Sequence, residues 1–90
     1  MTGALDRRLD ELIREVMPRR FRDLPLADDK NMHQELGIDS LGLMSLAFRV
    51  EEEFGIDVLL HADRVAEIFT VGELRRFVGE FAPQNSLGDQ

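Results

Sequence analysis

The sequence contains no cysteine, so the chain can form neither a disulfide nor a thiolate metal site. No apolar run approaches the roughly 20 residues that span a bilayer as a helix. The N-terminal residues also lack the apolar run of a signal peptide. We therefore expect a cytoplasmic protein without a membrane span.

Motifs of enzymatic chemistry are also missing. The sequence has no Gly-rich phosphate loop and no cluster of metal ligands. Its two histidines, His33 and His61, lie in no recognisable motif, and we expect both at the surface or at the edge of a pocket. The sequence therefore predicts a protein that binds no metal and whose histidines perform no chemistry.

Ninety residues are enough for one domain with one modest core. The formal net charge is -7, and the acidic excess lies in residues 31–90, because acids and bases cancel in residues 1–30. A surface of that sign disfavours nucleic acid as a partner. Basic patches on enzymes would complement it and favour fast, salt-sensitive encounters.

Apolar residues recur at helical spacing in several segments. A first helix is predicted over Ala4–Met17, because Pro18 disfavours helical geometry at the residue before it. A short third helix is predicted over Asp63–Phe69, and a last helix begins at the capping-box pattern Thr70-Val71-Gly72-Glu73. The residues expected to face the core in these two helices are Val65, Ile68, Phe69, Val71, Leu74, Phe77, Val78 and Phe81.

The connection from Pro18 to Asp39 is long for a compact domain. We expect it to lie against the helices with one short helical turn, held by Phe21, Leu24, Leu26, Met32, Leu36 and Ile38. Together these patterns predict an all-α fold, a small four-helix bundle of three longer helices and a short third helix, with a long first loop. The helical domain is predicted over residues 1–82, and residues 83–90 are predicted to form a flexible C-terminal tail.

The stretch Gly37–Phe54 is predicted to be a turn, a cap at Asp39 and about four turns of amphipathic helix. One face carries the apolar spacing of a helix that packs on a core: Leu43, Leu46, Ala47, Val50 and Phe54. A second apolar row lies nearly opposite: Leu41, Met44 and Phe48. This row either packs under a loop or stays exposed as a contact surface.

Ser40 lies where this loop becomes the helix. Asp39 and Ser40 are both good N-cap residues, and capping alone would explain the pair. A helix N-terminus also favours anions, so a phosphate esterified to Ser40 would be well placed. A nucleophile would need a base and an orienting partner, and the Gly-x-Ser-x-Gly elbow is absent. We interpret Ser40 as a residue that accepts a group.

Two motifs that bracket this helix resemble those of the acyl carrier proteins. They are Leu36-Gly37-Ile38-Asp39-Ser40-Leu41 at its start and Glu51-Glu52-Glu53-Phe54-Gly55-Ile56 at its end, and the resemblance covers about residues 4–82. It implies that Asp39, Ser40 and Leu41 form the attachment signature, with a covalent 4'-phosphopantetheine arm on Ser40. A phosphopantetheinyl transferase would move this arm from coenzyme A to the serine.

The resemblance further implies a carrier that is not an enzyme. Its arm would hold acyl groups as thioesters and deliver them to synthases and acyltransferases of fatty-acid, lipid or polyketide biosynthesis. Partners of such carriers bind the second helix, and the candidate contacts are Leu41, Met44, Phe48, Glu51 and Glu52. The acyl chain can fold back between the helices, and the candidates for this cleft are Leu46, Val50, Phe54, Leu59, Val65 and Ile68. Ordinary core packing explains each of these six positions as well. We expect a monomer, because a carrier must visit many partners.

The sequence departs from the fatty-acid carriers at Gly42 and Ser45, where acids are common, and at Arg49, which adds a positive charge. We therefore interpret the chain as a specialised carrier with dedicated partners. Two alternatives stay open: a carrier of aminoacyl or peptidyl groups, and a non-carrier helical interaction module in which Ser40 is only a cap. The sequence indicates neither the acyl group nor the pathway.

Overall fold

The structure is a computed structural model that describes residues 3–82 as a bundle of four α-helices. The helices are α1 (Ala4–Val16), α2 (Ser40–Phe54), α3 (Ala62–Val65) and α4 (Val71–Phe81), and two 3₁₀ turns lie at Arg19–Phe21 and Val58–His61. Over the described range, pairing of the strand type is limited to one isolated bridge between Asn31 and Thr70. The predicted all-α bundle is confirmed.

The predicted domain limits stay predictions, and the predicted tail over residues 83–90 lies outside the described residues. No helix within residues 3–82 combines the length and the apolar character needed to cross a membrane.

Helix α1 ends at Val16 because Met17 precedes a proline and adopts an extended backbone, with ψ of 145°. The side chain of Arg22 then turns back onto the end of α1. Its Nε donates to the carbonyl of Arg14 at 3.1 Å and to that of Met17 at 3.3 Å. The Arg14 carbonyl also accepts from the Met17 backbone N–H, so the Arg22 bond is a second one there, and together the Arg22 bonds attach the first connection to α1.

The first connection packs on the bundle, as predicted, and contains the predicted helical turn at Arg19–Phe21. Most of its apolar residues are buried or half-buried, but the prediction for Leu24 is wrong, because this side chain is exposed. Arg75 of α4 adds a polar anchor, since its guanidinium bonds Asp10 of α1 at 2.8 Å and Asp28 of the connection at 2.6 Å.

The third helix is shorter than predicted, and the prediction that Phe69 faces inward is wrong. Helix α3 ends at Val65, and the Phe69 side chain is 59% exposed. The cause is a contact from far along the chain: the Met32 N–H donates to the Phe69 carbonyl at 2.8 Å. The Phe69 carbonyl therefore pairs with a residue outside α3, and Thr70 follows in an extended conformation as the cap of α4.

Candidate functional site

The turn before Ser40 depends on glycine at position 37. Gly37 has φ of +74°, a left-handed conformation that L-residues rarely adopt. A Cβ at this position would lie 2.6 Å from two ring carbons of Phe21. The next residue, Ile38, is fully buried, and its carbonyl accepts a hydrogen bond from His33 Nδ1 at 2.8 Å. The turn is therefore fixed by the Phe21 ring, which packs against Gly37, and by the hydrogen bond from His33 to Ile38.

Asp39 caps α2, as predicted. Its Oδ1 accepts a hydrogen bond from the backbone N–H of Gly42 at 2.7 Å. Because Asp39 takes the cap, Ser40 becomes the first residue of the helix, and its side chain is exposed. The result is an exposed hydroxyl at the positive end of a 15-residue helix.

No base is positioned to activate this hydroxyl among the described residues. The Nδ1 atom of His33 bonds the Ile38 carbonyl, and the ring of His61 stacks on Phe81 with centroids 4.0 Å apart. In residues 3–82, no group of three His, Cys, Asp or Glu side chains is placed to hold a metal ion.

Gly42 has a packing role that the sequence did not reveal. A Cβ at this position would lie 2.9 Å from Cγ2 of Ile38 and 3.2 Å from Oδ1 of Asp39. It would therefore disturb both the buried residue that anchors the turn and the carboxylate that caps the helix. An acid at position 42 would therefore require the Ile38 methyl group to shift.

The second apolar row of α2 stays exposed. Leu41, Met44 and Phe48 are 74%, 57% and 61% exposed, and among the described residues they are not covered by a loop. Isolated exposed apolar side chains are common, but three in a row along one helix form a continuous ridge. Within residues 3–82, the row therefore does not pack under a loop.

The charged residues at the far end of α2 divide into two groups. Glu53 is paired across the bundle with Arg8, whose Nε donates at 2.8 Å, and this hydrogen bond lowers the pKa of Glu53. Arg49 likewise pairs with Glu15 of α1. Within residues 3–82, Glu51 and Glu52 take part in no such ion pair. The free negative charge beside the ridge therefore comes from these two carboxylates.

An apolar cavity of about 250 Å³ lies between α2, α4 and the segment from Val58 to Phe69. It is lined by Met32, Leu43, Leu46, Ala47, Val50, Val58, Val65, Ala66, Ile68, Phe69, Leu74 and Phe77. None of these side chains is polar. Among its lining residues, Ala66 and Phe69 are exposed, whereas Leu74 and Phe77 are buried.

The structure brings four of the six predicted cleft residues to this cavity: Leu46, Val50, Val65 and Ile68. The prediction is wrong for Phe54, which is buried beside Leu5 and Arg8 on the α1 side of α2. It is also wrong for Leu59, which is 82% exposed, because the 3₁₀ turn at Val58–His61 directs this side chain outward.

Eight lining residues were missed: Met32, Leu43, Ala47, Val58, Ala66, Phe69, Leu74 and Phe77. For four of them a signal existed. Leu43 and Ala47 share the core-facing stripe of α2 with Leu46, and Leu74 and Phe77 form the inward stripe of α4. No pattern within the sequence indicated that these two stripes leave a space between them.

The fold and the site define a small helical domain that presents one exposed hydroxyl at a helix start, beside an apolar cavity. The chain matches the family described as "Phosphopantetheine attachment site" over residues 7–78. It belongs to this family, and its cofactor is covalently attached 4'-phosphopantetheine. No solved structure matches the chain significantly.

The surroundings of Ser40 fit this group. The hydroxyl is exposed, so an esterified group would not displace packed side chains, and the helix start favours a phosphodiester. The family match confirms the resemblance and the cofactor drawn from the sequence. Domains of this family are carriers rather than catalysts.

Proposed function

We propose that the chain is an acyl carrier protein with its arm on Ser40. The observation that carries this proposal is the position of the Ser40 hydroxyl, exposed on the first residue of α2 directly after the Asp39 cap. This position lies inside the matched residues 7–78. The matched family itself leaves open which residue is modified and which cargo is carried.

The residues of the chain would act on the arm by position and charge. In the active site of a transferase, Ser40 Oγ would form a new bond to the phosphorus of the phosphopantetheinyl group while the pyrophosphate linkage of coenzyme A breaks. The adenosine bisphosphate half would leave, and a base of the transferase would take the hydroxyl proton. Asp39 and Gly37 hold the first turn of α2 in place for that encounter. When bound, the arm supplies a thiol that carries the cargo as a thioester. The helix dipole would stabilise the phosphodiester at Ser40.

The exposed ridge of α2 supports a second part of the proposal, which concerns partners. Leu41, Met44 and Phe48 would enter an apolar groove on an acyl-processing enzyme, and Glu51 and Glu52 would meet basic residues at its edge. Synthases and acyltransferases of fatty-acid, lipid or polyketide biosynthesis are the proposed partners. We also propose that the protein is a cytoplasmic monomer.

We interpreted the chain as a specialised carrier because of Gly42, Ser45 and Arg49, and the structure leaves fewer of these residues as support. Gly42 has a steric explanation, and the charge of Arg49 is balanced by Glu15. Ser45, which is exposed, is the departure that neither argument explains. Ser45→Glu should therefore raise turnover with a housekeeping fatty-acid synthase. An unchanged turnover would count against a role for this position in partner choice.

Mass spectrometry tests the attachment directly. The chain incubated with a phosphopantetheinyl transferase and coenzyme A should gain the mass of one phosphopantetheine, and Ser40→Ala should abolish the gain. Ser45→Ala is the matched control, because Ser45 is a second exposed serine on the same helix. An unmodified wild-type chain would favour the helical interaction module, and a modified Ser40→Ala chain would refute the assignment of the residue.

The group loaded on the arm distinguishes the proposed acyl carrier from the alternative, an aminoacyl or peptidyl carrier. A chain that carries acyl groups should be charged by an acyl-activating enzyme and should not be charged by amino-acid-activating enzymes. The apolar cavity favours the acyl carrier, because an aminoacyl ammonium group would find no polar side chain among its lining residues.

A further inference from the structure

We infer that a group of arginines beside Ser40 is a second docking surface, and that it binds carboxylates on the enzyme that loads the arm. This arginine patch consists of Arg14, Arg19, Arg20 and Arg22. The inference rests on the proposed function, since it names a partner surface of that carrier. It depends on three observations: the uncompensated charge of the patch, its place against the turn before Ser40 and the fixed position of its side chains.

The arginine patch carries positive charge that neighbouring acids do not neutralise. Within residues 3–82, its arginines form no ion pair with a carboxylate. The two acids that share a surface pocket with the patch, Glu11 and Glu15, pair instead with Arg8 and Arg49. Asp23, the remaining acid between residues 14 and 24, is exposed and balances one of the four positive charges. The patch is therefore basic in a chain whose formal net charge is -7.

The patch lies against the backbone that presents Ser40. A Cβ at Gly37 would meet the Phe21 ring at 2.6 Å, and Phe21 lies between Arg20 and Arg22 in the chain. The last carbonyl oxygen of α1 also lies 3.5 Å from the position of a Cβ in the first turn of α2. The arginine-bearing segment therefore touches both the turn before the hydroxyl and the helical turn after it. An enzyme that covers the hydroxyl also approaches the arginines.

Three of the four side chains are held in place and keep their charge. Arg22 Nε donates to the Arg14 carbonyl at 3.1 Å, and Arg14 donates to the Leu24 carbonyl at 3.1 Å. Arg20 lies over the Phe21 ring, 5.1 Å from its centroid. A carbonyl or an aromatic ring carries no net charge, so the guanidinium groups stay cationic. Because these side chains are already ordered, a partner that binds them removes less side-chain entropy.

Charge complementarity identifies the partner surface as acidic. Helix α2 has 15 residues and is about 22 Å long, with the arginine patch beside its start and the free carboxylates of Glu51 and Glu52 near its end. A partner with carboxylates at one edge and basic residues at the other would bind with its active site over Ser40, and the reverse orientation would bring like charges together. An anionic membrane would attract the patch but repel the acidic excess of residues 31–90.

The test measures the KM of the phosphopantetheine-bearing protein with the acyl-activating enzyme that charges it. Arg19→Glu and Arg20→Glu should each raise this KM about fivefold or more and leave kcat within about twofold, because attraction becomes repulsion at the docking edge. Arg20→Lys should stay within about twofold of the wild type, since it keeps the charge. Arg76→Glu is the matched control, because Arg76 is an exposed arginine of α4 outside the patch, and it should change the KM less than about twofold.

Two further measurements support the reading of these variants. Raising the salt concentration from about 50 to about 300 mM should raise the KM of the wild type and narrow its difference from Arg20→Glu, because salt screens exposed charges. Arg19 is exposed, and within residues 3–82 it neither stacks on a ring nor forms an ion pair. Arg19→Glu therefore remains a test if the loss of stacking in Arg20→Glu impairs folding.

A KM equal to that of Arg76→Glu in both charge-reversal variants would overturn the inference and make the patch an ordinary solvated surface. A lower KM would also overturn it, because the partner would then be basic at this edge. Sedimentation of the wild type with vesicles of anionic phospholipid, abolished by Arg20→Glu, would assign the patch to a membrane instead of an enzyme. Failure of the proposed function is distinguishable, because it appears as a missing mass gain in the wild type before any KM is measured, and it would remove this inference as well.

Discussion

A side chain at position 37 should destabilise the turn that precedes Ser40. Gly37 has φ of +74°, and a Cβ there would lie 2.6 Å from the Phe21 ring and 3.2 Å from Cγ of Pro18. Real Cβ atoms do not approach neighbours to 2.6 Å, so the ring must move. Gly37→Ala should therefore destabilise the fold in two ways, through backbone strain at the positive φ and through a steric clash with the Phe21 ring.

The two obstacles have comparable magnitudes. An L-residue in the left-handed region costs about 1–2 kcal/mol, and an added methyl group in a packed site costs about 1–3 kcal/mol. The smaller entropy of the unfolded alanine chain offsets up to about 1 kcal/mol. We expect Gly37→Ala to lower the free energy of unfolding by about 1–5 kcal/mol, which is a large fraction of the stability of a small domain.

Urea unfolding followed by circular dichroism measures this loss, and two further variants separate its parts. Gly55 has φ of +69° at an exposed position, so Gly55→Ala should show the backbone term of about 1–2 kcal/mol. Phe21→Ala removes the ring that the new methyl group would meet. In this background Gly37→Ala should cost about 1–3 kcal/mol less, which is the coupling energy of the pair.

Two results would refute this reasoning. One is a loss below about 0.5 kcal/mol for Gly37→Ala, the range of an ordinary surface substitution. The other is an equal loss with and without the Phe21 ring, which would show that the contact between these residues has no energetic role. Gly37→Ala should also lower the rate of phosphopantetheine transfer to Ser40, because the turn before this residue is less stable. Mass spectrometry measures this rate at a temperature where the variant is folded.

Three further predictions concern the cap of α4, the exposed ridge and Gly42. Hydrogen bonds from the backbone N–H groups of Phe69 and Thr70 lower the pKa of Glu73 below its ordinary value of 4.5. The stabilisation of the fold by these bonds is therefore complete above pH 4.5, and it is lost as the pH falls through the lowered pKa. The unfolding free energy of Glu73→Gln should thus decline less steeply with acid than that of the wild type, and parallel curves would contradict this. Phe48→Ala should change stability by less than about 0.5 kcal/mol but raise the KM of the carrier with its partner enzyme, and an unchanged KM would remove Phe48 from the docking surface. Gly42→Asp should lower the urea midpoint, because its Cβ would meet a buried methyl carbon at 2.9 Å, and a midpoint at or above the wild-type value would refute the steric account.

The local elements of this protein could be predicted from the sequence because neighbouring residues decide them. Pro18 ends α1 within one residue of the predicted limit, and Asp39 caps α2 as predicted. The reciprocal capping box between Thr70 and Glu73 forms as its spacing indicates. Each of these features depends on contacts within about one helical turn, which the sequence displays directly. The family and its cofactor followed from motifs of the same local kind.

Contacts between residues distant in sequence decided the rest. The backbone of Met32 pairs with that of Phe69, beyond the end of α3, and the Phe21 ring leaves no room for a side chain at position 37. The cavity itself exists only because the apolar stripes of α2 and α4 and the Val58–Phe69 segment do not fill the space between them. Hydrophobic periodicity predicts which side of a helix is apolar, but it does not predict which element packs against that side or at what distance. For this reason the sequence determined the helices and the attachment chemistry, and the tertiary structure decided the shape of the space beside them.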